Sequence, residues 1–144
     1  METIIVKVTG TQRDSEGDEN RIELTAVGRQ YAKNGINYIT YHETELSGME
    51  GTTTLLKVTE DCVAVIRMGK IEHKQEFRLG EKTYSTYITP YGQMKMAATT
   101  NRLDLAYDGV RGKIYVEYEL EIDGQLQSYN ELTIDIREER TNGY

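Results

Sequence analysis

Between Lys113 and Ile122 apolar and polar residues alternate without a break. Ile114, Val116, Tyr118, Leu120 and Ile122 fall on one face; Lys113, Tyr115, Glu117, Glu119 and Glu121 fall on the other. Successive side chains of a strand point to opposite faces, so a pure period of two marks a strand with one face buried. Asp123-Gly124 follows, then a further strand-like run from Gln125 to Ile136. Asp-Gly between two such runs is a strong hairpin signal, because the two-residue turn that matches strand twist needs positive φ at both positions. The same pattern recurs along the whole chain, and this constrains the fold more than any other feature.

Upstream, strands are expected over Ile4 to Thr11, Arg21 to Lys33, Ile36 to Leu46, Thr52 to Thr59, Cys62 to Met68, Ile71 to Leu79, Thr83 to Thr89 and Met94 to Tyr107. Asn34-Gly35 makes a second two-residue hairpin. Val27-Gly28 interrupts the alternation of Ile22, Leu24 and Ala26, which predicts a bulge or sharp bend. The segment from Met94 is expected to break near Thr99 to Arg102. No window reads as an amphipathic helix of ordinary length. The reading is one all-β domain over residues 1–144. Its architecture is a single antiparallel up-and-down barrel of about 8–10 strands, closed or nearly closed, since closure removes the edges of an open meander.

A net charge of -7 argues against nucleic acid, whose phosphates require a basic footprint, and against anionic membrane surfaces. Cys62 is the single cysteine, so no internal disulfide forms and nothing implies an oxidising compartment. The start, Met1 to Lys7, lacks the basic and apolar regions of a signal peptide, and no stretch approaches the roughly 20 apolar residues of a membrane helix. A cytoplasmic location is expected.

The chemistry-bearing residues do not assemble into a familiar constellation. Asp14, Glu16, Asp18 and Asn20 alternate as oxygen ligands do, but Gly17 is misplaced for a calcium loop, and a solvated hairpin connection is the better reading. His42, His73 and Cys62 lie on three segments with no paired spacing, so neither a metal nor a cofactor is expected. Ser47, Ser85 and Ser128 lack a nucleophile-elbow setting. Gly48 to Thr54 lacks the lysine and the helix of a phosphate loop. No catalytic set emerges, and the chain does not read as an enzyme.

One juxtaposition stands out. Tyr41, Glu43 and Glu45 share a face, and Arg67, two strands later, shares one with Val63 and Val65. A buried arginine has to be paired, and a carboxylate suits it, so Glu43 is the first candidate partner. Two roles remain open: an ion pair that plugs one barrel end, or an anchor for a ligand's carboxylate or phosphate. In the second case Tyr38, Tyr87 and Tyr118 would serve as amphipathic wall residues.

The order Tyr38-Ile39-Thr40-Tyr41-His42-Glu43, Thr52-Thr53-Thr54, Arg67-Met68-Gly69, Phe77, Tyr87 through Pro90-Tyr91-Gly92, Thr99 and Gly112 to Tyr118 resembles the YwiB-like family of small, uncharacterised bacterial β-barrel proteins. The resemblance spans essentially the whole chain. It implies a calycin-like, lipocalin-type barrel and brings no activity and no catalytic residues. True lipocalins differ in their Gly-x-Trp opening and their cysteines, which this chain lacks.

The leading functional expectation is a binding module that takes a small, partly apolar or amphipathic ligand into the barrel, with Met68, Phe77, Met94 and Met96 as an adaptable lining. The site residues it names are Tyr38, Glu43, Arg67, Tyr87 and Tyr118. The alternative is a protein-interaction or structural module without a ligand, in which outward tyrosines such as Tyr115 and Tyr129 support a homodimer or another partner.

Overall fold

A computed structural model describes residues 2–139 and contains ten strands: β1 (Glu2–Asp14), β2 (Glu19–Lys33), β3 (Ile36–His42), β4 (Thr52–Val58), β5 (Cys62–Gly69), β6 (His73–Arg78), β7 (Lys82–Thr89), β8 (Gly92–Tyr107), β9 (Gly112–Ile122) and β10 (Gln125–Glu138). They form one antiparallel sheet in the order β6-β5-β4-β3-β2-β1-β10-β9-β8-β7. Every strand therefore lies beside its neighbour in sequence, and β1 joins β10 to complete the wrap. The two outermost strands of this order, β6 and β7, meet across a seam tied by the Glu72↔Ile88 bridge, giving a nearly closed up-and-down barrel. No helix among the described residues is long and apolar enough to cross a membrane.

Both two-residue hairpins form as their sequences require. Asn34 and Asp123 adopt φ of 53° and 51°, and Gly35 and Gly124 follow at 78° and 82°. Proline at Pro90 sits in the tight β7–β8 connection. The third strand is shorter than its composition suggests: β3 stops at His42, and Glu45–Ser47 makes a single 3-10 turn.

Two irregularities carry weight. The expected interruption at Val27-Gly28 is not a break in alternation, because Val27↔Ile5 and Gly28↔Ile4 continue the β1 register unbroken. Glycine is needed there for close approach instead. A Cβ on Gly28 would stand 2.6 Å from the Thr40 carbonyl oxygen and 3.1 Å from Val6 Cγ2, where β2 begins to pair with β3 through Arg29↔Thr40. The irregularity in β8 is a bulge between Thr100 and Arg102, within one continuous strand. It shifts the phase by one residue, so Met94, Met96, Ala98 and Thr100 point inward before it, and Leu103 and Leu105 after it.

The interior is filled unevenly. Ile4, Val6, Ile39, Leu56, Val63, Ile114, Val116 and Ile134 are all buried to within 1% exposure and pack the waist and the end that carries the Asn34-Gly35 turn. That end is finished by Gln30, 2% exposed, which accepts a hydrogen bond from the Tyr107 hydroxyl at 2.5 Å and donates to the Val110 carbonyl at 2.9 Å. The opposite end, toward the Asp123-Gly124 turn, is more polar and less filled.

Gly28→Ala should destabilise the fold by about 1–3 kcal/mol, the usual cost of forcing volume into a filled interior. Chemical denaturation checks this. An unchanged midpoint would show that the strands separate freely at Gly28.

Candidate functional site

The site begins at the seam. Between the Glu72↔Ile88 bridge and the turn at Gly80, β6 and β7 share no backbone ladder, and inward side chains join them instead. The direction of each bond is fixed from one end. Thr83 Oγ1 gives its proton to the Glu76 carbonyl at 2.5 Å, a pure acceptor. It must therefore accept from Gln75 Nε2, at 2.6 Å. That leaves Gln75 Oε1 as an acceptor for the Ser85 hydroxyl, at 2.9 Å. Ser85 has now spent its single proton, so its oxygen, 2.8 Å from His73 Nε2, accepts from that nitrogen. His73 is thus held as the Nε2–H tautomer, and its Nδ1, buried and without a partner, presents a bare lone pair.

Across the inner wall Tyr41↔Thr54, Thr54↔Arg67 and Arg67↔His73 are successive cross-strand neighbours, so these four side chains form one row. Arg67 is half-buried and makes no ion pair or side-chain hydrogen bond among the described residues; its Nε is buried without a partner. Beside it lies a cavity of about 460 Å³ whose wall includes Arg67, His73, Gln75, Phe77, Tyr87 and Tyr118 together with Met49, Met94, Met96, Leu120, Ile122 and Leu132. This volume is in the usual range for small-molecule sites. Arg67 and Tyr118 also border a smaller recess of about 230 Å³ toward Gly10 and Ile22. Phe77 and Tyr118 pack with ring centroids 4.7 Å apart, and the His73 ring meets Tyr87 edge-on at 5.1 Å.

The electrostatics follow from burial beside one cation. Burial, and secondarily the Arg67 charge, pull His73 down to about 4. Burial raises Tyr118, against the opposing pull of Arg67. Tyr41 is raised by burial and by the adjacent Glu43 carboxylate.

Of the five residues expected at the site, Arg67, Tyr87 and Tyr118 line the same cavity. Tyr38 does not. Ile39 and Tyr41 point inward, so Tyr38 is on the outer face, stacked on Tyr31 at 4.8 Å with Lys57 over its ring. Glu43 is inward and 7% exposed, but it is not the partner of Arg67. Its carboxylate accepts from the Thr54 hydroxyl and lies close enough to Tyr41 to raise its pKa. The Thr54 hydroxyl, one strand closer, engages the carboxylate, and Arg67 is left to the cavity. Phe77, Met94 and Met96 line the wall, whereas Met68 is 45% exposed at the strand end. Of the outward tyrosines, Tyr115 is covered by the Arg102 guanidinium at 5.3 Å, and Tyr129 stands exposed on β10. Gln75 and Ser85, which set the tautomer of His73, were not expected here.

Residues 6–134 match the model of a domain of unknown function, DUF1934, and the chain belongs to that family. It is 26% identical over 121 residues, 84% of each protein, to the uncharacterised β-barrel protein YwiB of Bacillus subtilis (strain 168). The crystal structure of the ywiB protein from Bacillus subtilis superposes with a TM-score of 0.83 over 96% of this chain and 93% of that one, at 24% identity. These likenesses establish family and fold, and assign no activity.

His73 should titrate near pH 4 in the folded protein rather than near 6.5, as followed by NMR. The unfolded chain takes up this proton at higher pH than the folded chain does. The stability that His73 contributes is therefore complete above about pH 6.5 and drains away as the pH falls toward 4. His73→Gln should flatten the pH dependence of the denaturation midpoint in that window. A folded-state midpoint near 6.5 would contradict the burial described.

Proposed function

We propose that this member of the DUF1934 family is a binding module, which holds a small amphipathic anion inside the barrel in a lipocalin-like manner. The observation that carries this reading is the Arg67 guanidinium, unpaired at the wall of a roomy and largely apolar cavity. A charge removed from water is costly unless it is paired and hydrogen-bonded. Glu43, the partner the sequence suggests, is already engaged by Thr54. A ligand carboxylate would complete Arg67, and an alkyl tail would lie along Met94, Met96, Leu120 and Ile122, whose flexible and branched side chains suit an apolar chain.

The protein's net charge of -7 gives no general attraction for anions, so selectivity for one has to come from the single interior cation. A cytoplasmic setting is consistent with the lone, buried thiol of Cys62. On this reading the protein carries or senses its ligand, and no bond is made or broken.

Titration with decanoate, followed by calorimetry and by NMR of the methionine methyl groups, tests the proposal. Decanoate should bind and shift the Met94 and Met96 signals. Arg67→Met should remain folded, because it leaves no partner orphaned, and should lose affinity by about tenfold or more, as expected for a charge-assisted hydrogen bond of about 1.5–3 kcal/mol. Equal decanoate affinity in wild type and Arg67→Met, or no binding to either, would overturn the assignment of Arg67 as anchor.

A further inference from the structure

Two residues of the cavity wall, Arg67 and His73, each carry a buried polar atom without a partner, and the two atoms are of opposite kinds. Arg67 Nε–H is a donor without an acceptor, and His73 Nδ1 is an acceptor without a donor. They belong to directly opposed residues on β5 and β6. A simple carboxylate offers only acceptors. It would satisfy the guanidinium and set an oxygen lone pair against the lone pair of Nδ1.

Resting on the binding reading above, we propose that the cognate ligand is an amphipathic α-hydroxycarboxylate: its carboxylate accepts from Arg67 while the neighbouring hydroxyl donates to His73 Nδ1. The adjacency of carboxylate and hydroxyl in the ligand matches the adjacency of Arg67 and His73 in the wall. The tautomer is not free to adjust. Were the proton on Nδ1, Nε2 would need a proton from Ser85, which has one proton and has given it to Gln75. Nor does His73 become a second cation at neutral pH, since burial and the Arg67 charge oppose its protonation.

Among the described residues that line the cavity, Arg67 is the only lysine or arginine, and the Glu43 carboxylate lies one inward position further along the chain from Tyr41, opposite Thr52. A single cation with a carboxylate nearby suits a monoanion over the dianion of a phosphate monoester. The selectivity device is therefore the seam itself. Gln75 and Ser85 do not touch the ligand; they are positioning residues that keep the Nδ1 lone pair available.

The test compares α-hydroxydecanoate, decanoate, decanol and decyl phosphate by calorimetry on the whole protein at pH 7. α-Hydroxydecanoate should bind about tenfold more tightly than decanoate, equivalent to about 1.4 kcal/mol, and decanol and decyl phosphate more weakly than either acid. In His73→Phe the hydroxyl preference, read as the ratio of the two acid affinities, should vanish. Ser85→Ala, which releases the tautomer and removes only a hydroxyl, should shrink the preference and serves if His73→Phe does not fold. Imidazole ¹⁵N shifts of the free wild type should report Nε2–H.

Equal affinity for the two acids, a preference that survives His73→Phe, or a proton found on Nδ1 would overturn the inference and leave the binding reading standing. A decyl phosphate preference would overturn the charge argument. Failure of all four compounds to bind would overturn both readings.

Discussion

The barrel depends on a closure that its backbone does not complete. Nine of the ten neighbouring strand pairs are tied by ladders; β6 and β7 meet through one bridge at the upper end, a turn at the lower end, and side chains between. Gln75, only 3% exposed, Thr83, Ser85 and His73 stand where a strand would otherwise place apolar groups. Such a network is favourable only if its members are satisfied, because a buried polar group without a partner costs about 1–3 kcal/mol. It is satisfied from Glu76 as far as His73 Nε2 and stops there. Two of the residues that close the barrel, Gln75 and His73, are therefore also residues of the cavity wall.

The uneven filling follows from residue type. Branched aliphatic side chains from β1, β3, β4, β5, β9 and β10 interdigitate at the waist and lower end. Toward the upper end, where the Asp123-Gly124 turn lies, the inward positions include Gly10, Gln12, Arg67, Met94 and Met96, which do not fill space in one fixed way. Glycine leaves a gap, methionine adapts, and a guanidinium has to find oxygen. Had Glu43 reached Arg67, the pair would have closed this end as a plug. Thr54 holds the carboxylate instead, and Arg67 is left without it.

Most of the fold is legible in the chain, because alternation and turn chemistry are local. Asn34-Gly35 and Asp123-Gly124 needed only their own φ values to be correct. What the sequence conceals is register. Gly28 reads as a break, since its close approach to Thr40 involves a strand whose offset is set elsewhere. The β8 bulge is visible as an irregularity, but its effect, switching the inward phase from even to odd positions, emerges only when β9 is alongside. Tyr38 is a case where the alternation rule was sufficient and misapplied: it differs in parity from Tyr41 and Glu43, so the three cannot share a face. The network of His73, Gln75, Thr83 and Ser85 is not legible at all, since no motif announces a seam where two sequence neighbours fail to pair.

The central claim is that Arg67 is held for a ligand. The most direct measurement is a crystal structure of the protein purified without denaturation from the cells that produce it. The account predicts elongated density along Met94 and Met96, ending in an oxygen-bearing head group within hydrogen-bonding distance of Arg67 and His73 Nδ1. An Arg67 guanidinium folded onto the Glu43 carboxylate, with side chains filling the upper end, would contradict it.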